Sequence, residues 1–242
     1  MDPDVTKLVL LLLVGAGAAF LQRVSGFGLG IFAMLFLPHV LPSAAAAAVS
    51  CLFSCGTSSY NTFKYRRHIP LKTVLPLLTA ALAVIPVAVH FSARIPGHIF
   101  QAILGAVLIA LSLYFLFFQS RISLKPSVKN GLIAGAVGGA LNGLFSTGGP
   151  PIVLYLTGAT TNKLEYFAAI QFYFALTNIY ASILRIISGI VTWDLMLLVG
   201  VGLVGCLAGD FLGSKVFDRL DSRKLKQIIY IGMIISGVLM IL

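Results

Sequence analysis

Long stretches without a charged side chain are the feature of this sequence that most restricts its fold. Residues 44–63, 99–118 and 228–242 contain no Asp, Glu, Lys or Arg. A helix needs roughly 20 apolar residues to cross a hydrocarbon core of about 30 Å, and these stretches approach or reach that length. Only 10% of all residues are charged, whereas soluble domains carry about 25%. The sequence therefore predicts an all-α polytopic membrane protein.

Other classes of protein fit the sequence poorly. A membrane β-barrel needs alternating polar and apolar residues, and a run such as SAAAAAV does not alternate. The net charge of +10 is explained by basic cytoplasmic loops, so we predict no nucleic-acid partner. The three cysteines and four histidines form no metal-binding motif, and the sequence has no P-loop, HExxH or GxSxG string. We expect no metal, no cofactor and no enzymatic activity.

The chain resembles itself when it is shifted by 120 residues. Gly28 then aligns with Gly148, Gln22 aligns with Asn142, and the string QRVSGFGLGI falls on NGLFSTGGPP. Each copy consists of a long apolar helix, a glycine-rich break, a short apolar half-helix and three further spanning segments. We therefore predict two repeats, residues 1–120 and 121–242, which together form one domain.

The positions of the helices follow from these apolar segments. The first segment is preceded by Asp2 and Asp4, whereas a signal peptide starts with a basic region, so we expect it to be retained as a helix. The predicted elements of the first repeat are residues 5–24, 27–37, 43–63, 71–91 and 97–118. Those of the second repeat are residues 128–145, 150–156, 163–187, 193–216 and 222–242.

Basic loops predict that the two repeats have opposite orientations. Residues 64–72, 121–129 and 215–226 are rich in Lys and Arg, which is typical of cytoplasmic loops. The loop near Arg94 is weakly charged and residues 188–192 carry no charge, so both are expected outside. Equivalent loops then lie on opposite sides, as in inverted-topology repeats. This arrangement makes each broken element a helical hairpin or re-entrant pair and places both termini outside.

The string STGGPP at residues 146–151 interrupts the second repeat. Proline lacks an N–H and clashes with the preceding turn, and glycine disfavours helix. Irregular backbone is tolerated inside a membrane where it lines a cavity or is buried in protein, so matching breaks predict a binding site near the midplane. Pro150 and Pro151 suit the first helical turn, and a helix N-terminus attracts anions. Close packing explains glycines such as Gly15 and Gly138, but not the two prolines.

Ionisable residues inside apolar segments are further candidates, because such residues are rare in membranes and are often functional. Arg23 lies beside the first break and Arg185 lies late in a spanning segment; each can bind an oxyanion or reach the membrane interface. Asp210 is a candidate proton carrier or arginine partner. A polar stripe toward the cavity, or interhelical hydrogen bonding, is the expected role of Gln171, Tyr173, Thr177 and Asn178.

The strings SGFGLGIFAMLFLP and NGLFSTGGPPIVLYL, together with the duplication, resemble the paired signature of the sulfite exporter TauE/SafE family. The resemblance covers nearly the whole chain. It implies a multi-pass permease of the bacterial or archaeal inner membrane for small sulfur-containing anions such as sulfite and organosulfonates. One departure is that Arg23 has Gly143 opposite it in the aligned repeats, which predicts that the two repeats bind asymmetrically.

We therefore expect a secondary transporter, with export as the direction that the resemblance implies. Its partners are a small anion and the lipid bilayer, with proton coupling and a homodimer left open. The alternative is a carrier or channel for another small organic or inorganic anion. The residues expected to bind substrate are Arg23, Ser25, Gly26, Gly28, Gly30, Asn142, Ser146, Thr147, Gly148, Gly149, Pro150, Gln171, Asn178 and Arg185.

Overall fold

The computed structural model describes residues 5–117, 126–216, 234–235 and 237–241, and this part of the chain contains helices and no strands. Within residues 1–120, the predicted first repeat, the helices are α1 (Val5–Ser25), α2 (Leu29–Phe36), α3 (Ser43–Tyr65), α4 (Leu71–Ser92) and α5 (Gly97–Phe117). Within residues 121–242, the predicted second repeat, they are α6 (Val128–Phe145), α7 (Gly149–Ala159), α8 (Lys163–Ile187) and α9 (Trp193–Val216). The predicted segment 222–242 lies largely outside the described residues. The prediction of an all-α membrane protein is confirmed.

Five of these helices are long and apolar enough to cross a membrane: α1, α4, α8, α9 and residues 97–114 of α5. The chain is therefore a multi-pass membrane protein. Helix α3 is as long, with 23 residues, but it carries a buried stripe of Ser50, Ser54, Ser58 and Asn61. Residues at these spacings share one helix face, and that face contacts other helices rather than lipid.

Capping residues fix the starts of the second-repeat helices. The Ser127 hydroxyl accepts a hydrogen bond from the Asn130 N–H, with an O–N distance of 3.2 Å, at the start of α6. The side-chain Oδ1 of Asn162 accepts one from the Glu165 N–H at 2.9 Å, at the start of α8. Such side chains satisfy N–H groups that have no partner within the helix. These caps explain why α6 and α8 begin where the sequence predicts.

The helices before and after each break form a hairpin. In the first repeat, a Cβ at Gly17 of α1 would lie 2.8 Å from the Phe32 ring of α2. In the second, a Cβ at Gly138 of α6 would lie 2.7 Å from Ile152 Cδ1 of α7. The short helix therefore packs back along the long one, and these glycines provide the close approach.

Each hairpin also packs against a helix of the other repeat. A Cβ at Gly205 or Gly209 of α9 would collide with the carbonyls of Leu12 and Ala16 in α1. Because both residue numbers increase together along the contact, α1 and α9 run parallel. The four-residue spacing places these glycines on one face of α9, so the two backbones approach closely along their length.

Helices α4 and α6 form the corresponding pair. A Cβ at Gly135 of α6 would collide with Leu77 of α4, and one at Gly139 would lie 2.7 Å from the Cα of Ala81. These two helices also run parallel. Glycines of α6 line the α4–α6 contact, whereas both helices contribute glycines to the α1–α9 contact, because Gly15 of α1 lies against the Gly202 carbonyl of α9.

Helices α3 and α8 cross the centre of the molecule and run antiparallel. Cys51 Sγ lies 3.5 Å from Ser182 Oγ at one end of the contact. At the other end the rings of Tyr65 and Phe167 are 5.4 Å apart, measured between centroids. This central pair joins the two hairpins and carries most of the buried polar residues described below.

Candidate functional site

The two glycine-rich breaks meet in the interior. Gly30, in the first turn of α2, lies directly against the Ser146 carbonyl at the end of α6, and a Cβ at Gly30 would collide with it. On the other side, a Cβ at Gly149 would lie 3.2 Å from the Phe27 ring. Gly26 follows α1 and Ser146 follows α6, and the two residues align when the chain is shifted by 120 residues. Gly26 has a φ of 84° and Ser146 has a φ of 59°. Both breaks thus turn through a left-handed residue.

A cavity of about 10 Å³ lies between the breaks. This is about the space that one water molecule occupies, so sulfite, with one sulfur and three oxygens, does not fit without movement. Half of the predicted binding residues line this cavity: Gly28, Gly30, Asn142, Ser146, Thr147, Gly149 and Asn178. The structure therefore brings together residues from both repeats, as the repeat alignment predicts.

The N-terminus of α2 lies at the cavity. Leu29, Gly30 and Ile31 are the first three residues of the helix and all three line the cavity. Their N–H groups have no acceptor within the helix. The first N–H that bonds back is that of Phe32, to the Gly28 carbonyl at 2.9 Å. This break presents three backbone donors.

The N-terminus of α7 presents fewer donors. Gly149 is its first residue, and Pro150 and Pro151 follow it. Prolines have no N–H, so only Gly149 has an N–H among the first three positions of this helix. The prolines fit the first turn, as the sequence predicts, but they reduce the number of donors.

Two hydroxyl groups at the end of α6 are buried without a hydrogen-bond partner. Ser146 Oγ and Thr147 Oγ1 have none in the described structure, although both residues line the cavity and are only 6% and 1% exposed. An unsatisfied buried polar group costs about 1–3 kcal/mol and requires an explanation. By contrast, the Ser25 hydroxyl donates to the Leu21 carbonyl at 2.7 Å, so it is already engaged.

A layer of amide side chains closes the cavity on one side. Gln22 Nε2 donates to Ser58 Oγ at 2.8 Å and to Gln171 Oε1 at 2.9 Å. Gln171 Nε2 in turn donates to the Gly26 carbonyl at 2.9 Å. We call these four residues the Gln22 layer. It joins α1 and α3 of the first repeat to α8 of the second.

A second polar layer closes the cavity on the opposite side. Asn142 Nδ2 donates to Asn178 Oδ1 at 3.0 Å, and Asn178 Nδ2 donates to Ser54 Oγ at 2.8 Å. The Cys51 thiol also contacts Asn178 Oδ1, at 3.4 Å. We call these four residues the Asn178 layer. Asn142 and Asn178 align with Gln22 and Ser58 when the chain is shifted by 120 residues, so the Asn142–Asn178 bond corresponds to the Gln22–Ser58 bond.

Arg23 lies beyond the Gln22 layer and does not line the cavity. Its guanidinium donates to Asn61 Oδ1 and to the Tyr65 hydroxyl at 2.6 Å. It also lies 5.2 Å from the ring centroid of Tyr65 and 5.0 Å from that of Phe167, within cation–π distance. Asn61 Nδ2 donates to Asp210 Oδ1 at 3.0 Å. Asp210 is thus connected to Arg23 through one amide group.

Arg185 lies beyond the Asn178 layer, at the other end of the site. Its Nη2 donates to the carbonyls of Asn142 at 3.2 Å and Gly143 at 2.9 Å. Its Nε and Nη1 have no hydrogen-bond partner in the described structure, and the residue is 1% exposed. The repeat alignment places Gly143 opposite Arg23, but in space Arg185 lies against Gly143. Each repeat therefore contributes one arginine to the equivalent helix interface.

The remaining predicted residues lie around the cavity without lining it. A Cβ at Gly148 would collide with the Gly138 carbonyl inside the hairpin, and the φ of Gly148 is an ordinary −69°. Gly26 holds its left-handed turn and accepts the bond from Gln171. Pro150 is buried in the first turn of α7. The structure thus assigns Gly148 to hairpin packing.

Five cavity residues were not among the predicted binding residues: Gln22, Leu29, Ile31, Ser54 and Phe174. The repeat alignment could have found Gln22, because it pairs with Asn142. The polar stripe of α3 could have found Ser54, because Ser and Asn at helical spacing inside a membrane face other helices. Leu29, Ile31 and Phe174 carry no such signal. Within the described ranges, no three His, Cys, Asp or Glu side chains converge to hold a metal ion.

Comparison with known proteins shows the family of the chain. A family model described as "Sulfite exporter TauE/SafE" matches residues 11–240. This chain belongs to the TauE/SafE family. The resemblance predicted from the glycine-rich strings is confirmed, and the TauE/SafE family consists of transporters rather than enzymes.

Two curated relatives of this TauE/SafE protein are similar over much of their length. "Probable sulfite/organosulfonate exporter TauE" of Cupriavidus necator is 26% identical over 174 residues, which cover 69% of this chain and 66% of the relative, just under two thirds of its length. "Probable membrane transporter protein ORF9" of a Sinorhizobium species is 26% identical over 230 residues, covering 88% of this chain and 82% of the relative. No solved structure matches the chain significantly.

Proposed function

We propose that this TauE/SafE protein is a secondary transporter that exports a small sulfur-containing anion, such as sulfite or an organosulfonate, across the cell inner membrane. The observation that carries the proposal is the pair of helix N-termini that converge on one cavity beside two unpartnered hydroxyls, Ser146 and Thr147. The printed names of the family and of the Cupriavidus relative supply the substrate class.

The chemistry of the cavity suits an oxyanion. Each helix N-terminus carries roughly half an elementary positive charge, so two of them balance about one negative charge. The N–H groups of α2 and the hydroxyls of Ser146 and Thr147 donate to anion oxygens. No Asp or Glu lines the described cavity, so no acidic side chain there repels an anion.

Helix directions support the predicted inverted repeats, residues 1–120 and 121–242, as one transport domain. Helices α3 and α8 hold the same place in the two repeats and run antiparallel, whereas α1 runs parallel to α9 and α4 to α6. Near the start of α5, the ring of Phe100 lies 4.9 Å from that of Phe145 at the end of α6, measured between centroids. The C-terminal ends of α3, α5 and α9 therefore lie on one side. The basic segments of the chain follow those ends, and basic segments are typical of cytoplasmic loops, which supports a cytoplasmic location for the Arg23 side of the site.

The size of the cavity favours a carrier over a channel. A polar layer closes it on each side, and its volume of about 10 Å³ admits no sulfur oxyanion. The anion must therefore enter when one layer opens, and it leaves when the other does, which is alternating access around a fixed site. Proton coupling and a homodimer stay predictions.

The test is anion binding by purified protein with the paired hydroxyls removed. We expect methanesulfonate and sulfite to raise the unfolding temperature of the wild type. Because a hydrogen bond to a charged group contributes about 1.5–3 kcal/mol, Ser146→Ala with Thr147→Val should weaken binding by about tenfold or more. Thr157→Val is the matched control, since the Thr157 hydroxyl bonds to its own helix at 2.6 Å.

Two results would reject the proposal. One is wild-type affinity in the double variant with loss of affinity in Thr157→Val, which would place the site elsewhere. The other is stabilisation by short carboxylates with none by sulfur oxyanions, which would support a carrier for another anion. In proteoliposomes, exchange accelerated by substrate on the opposite side identifies a carrier, and its absence identifies a channel.

A further inference from the structure

Arg185 carries a buried charge, and its bonds to the protein use only part of its guanidinium. The residue is 1% exposed, and Nη2 donates to the carbonyls of Asn142 at 3.2 Å and Gly143 at 2.9 Å. A guanidinium has five N–H donors. Those of Nε and Nη1 have no hydrogen-bond partner in the described structure. More than half of the donors of this arginine are therefore unused.

Capping of α6 explains only the bonds of Nη2. Helix α6 ends at Phe145, and a cation near the last carbonyls of a helix is favourable. A carbonyl carries only a partial charge, however, whereas a buried ion needs an opposite charge or enough hydrogen bonds to replace its hydration. The two carbonyls do not replace the water that Nε and Nη1 have lost.

Acidic side chains of the described ranges do not balance Arg185. The structure describes three of them: Glu165 at the opposite end of α8, Asp210, which bonds to Asn61, and the exposed Asp194 at the start of α9. None of the three bonds to Arg185. Its charge is left for a partner that is not one of these side chains.

A second unpartnered group lies on the same side of the Asn178 layer. The Ser50 hydroxyl is 0% exposed and has no hydrogen-bond partner in the described structure. Ser50 precedes Ser54 of that layer by one turn of α3, and residues four apart share a helix face. Because α3 and α8 run antiparallel, going backward along α3 and forward along α8 leads beyond the layer in the same direction. Ser50 and Arg185 thus both lie on its outer side.

The neighbouring helices contribute uncharged groups here. Helix α8 contacts α3 through Ser182, whose Oγ lies 3.5 Å from Cys51 Sγ. Helix α4 approaches the same turn of α6, because a Cβ at Gly143 would lie 2.5 Å from the Cβ of Ala88. These contacts add no charge, so the field that an anion meets at this level is that of Arg185.

We propose that Arg185 and Ser50 form a second anion-binding position, beyond the Asn178 layer, which holds the transported anion between the cavity and the outside. This inference rests on the proposed function, because it assumes that an anion is carried. Oxygens of sulfite or a sulfonate accept from Nε and Nη1 of Arg185 and from the Ser50 hydroxyl, and the anion balances the guanidinium charge. The planar guanidinium suits oxyanions better than an ammonium group does.

The second position becomes available when the outer side opens. Arg185 is covered in the described structure, so α3 and α8 must separate there before an anion can reach it. As the Asn178 layer opens, the anion leaves the helix N-termini of the cavity, binds Arg185 and then passes to water. Its negative charge is thus balanced at both stages of this path.

Thiol reagents of opposite charge measure the field at this position. In the full chain without Cys51, Cys55 and Cys206, Ser50→Cys is treated with an anionic methanethiosulfonate that carries a sulfonate, and separately with a cationic one that carries trimethylammonium. Each rate is divided by the rate of the same reagent with 2-mercaptoethanol. Both reagents need the same opening, so the ratio of the anionic to the cationic rate reports the local charge.

The ratio should depend on the arginine. Arg185→Gln should lower it by about tenfold or more, because a hydrogen bond to a charged group is lost. Arg185→Lys keeps the charge without the planar fork, so its ratio should lie in between. Arg94→Gln is the matched control, since it removes an exposed charge on the same predicted side and should leave the ratio unchanged.

Methanesulfonate distinguishes this position from the cavity. It should protect Ser50→Cys from the anionic reagent, at a concentration that rises about tenfold or more in Arg185→Gln. That concentration should stay the same when Ser146→Ala and Thr147→Val are present. For Ile31→Cys, which reports on the cavity, the dependence on these variants should be reversed.

Each contrary result overturns one proposal. If Arg185→Gln changes neither the ratio nor the protection at Ser50→Cys, the second position is rejected while the cavity site stands. If Ser146→Ala with Thr147→Val abolishes protection of both cysteines, there is one site and Arg185 only caps α6. If Arg185→Gln does not fold, equal normalised rates of the two reagents in its parent reject the position. If methanesulfonate protects neither cysteine, the proposed function itself fails.

Discussion

Gly30 is the point of closest approach between the two breaks, and adding one carbon there should hold the site open. Gly30 lies in the first turn of α2 with an ordinary helical φ, so alanine fits its backbone and even favours the helix by about 1 kcal/mol. The new Cβ, however, would collide with the Ser146 carbonyl. To restore an ordinary van der Waals contact, the two breaks must separate by about 1.6 Å.

The size of the effect follows from the cost of overpacking, which is typically about 1–3 kcal/mol. Since this cost applies only when the breaks are in contact, Gly30→Ala should shift the equilibrium from the closed to the open state by about 5-fold to 150-fold. Substrate-driven exchange should fall accordingly, because a carrier must pass through the closed state in each cycle.

Thiol labelling measures this shift directly. In a background without Cys51, Cys55 and Cys206, a cysteine at Ile31, which lines the cavity and is 3% exposed, should react at least fivefold faster when Gly30→Ala is present. Gly200→Ala is the matched control, because a Cβ at Gly200 meets no atom within 4 Å. Equal labelling rates in the wild type and Gly30→Ala would refute the assignment of Gly30 as the contact that closes the site.

Three further outcomes are expected. Gly209→Ala should destabilise the protein by about 1–3 kcal/mol in thermal unfolding, because its Cβ collides with a carbonyl of α1; an unchanged unfolding temperature would contradict the α1–α9 packing. Gly148→Ala should lower stability, because its Cβ points into the hairpin. Gly149→Ala should mainly weaken methanesulfonate binding, because its Cβ points toward Phe rings beside the cavity. If Gly148→Ala weakens binding and Gly149→Ala lowers stability instead, the site lies outside this cavity. Membrane-impermeant thiol reagents should label a cysteine at position 66 from the cytoplasm and one at position 190 from outside, and labelling of both from one side would reject the inverted repeat.

The helices themselves were largely predictable from the sequence. The predicted segments 128–145, 163–187 and 193–216 coincide with α6, α8 and α9, because glycine, proline and capping residues mark their ends locally. The meeting of the two breaks also followed from the repeat alignment. The helix ends depend on residues that are near one another in the chain, and the two breaks are revealed by the similarity between two distant segments, so the sequence pattern reports both.

Contacts between residues of different helices could not be predicted from the sequence in the same way. A glycine such as Gly148 shows that something approaches closely, but only the structure shows that it is the Gly138 carbonyl rather than a ligand. The alignment likewise compared Arg23 with Gly143, whereas the second repeat places its arginine on the neighbouring helix as Arg185. A guanidinium can reach the same interface from either of two helices, so position in the chain does not determine position in space.

The pairing of α1 with α9 has a consequence for how the protein is made. Helix α1 is synthesised first, but the helix on which it packs begins at Trp193, after most of the chain. At about 5–20 residues per second, roughly 10 to 40 s pass before that partner exists. During this time the glycine-bearing face of α9 is missing and α1, with Arg23, must be accommodated by lipid, by the insertion machinery or by α3. We therefore expect the N-terminal half, when expressed alone, to be degraded, and co-expression of the two halves as separate chains to restore it.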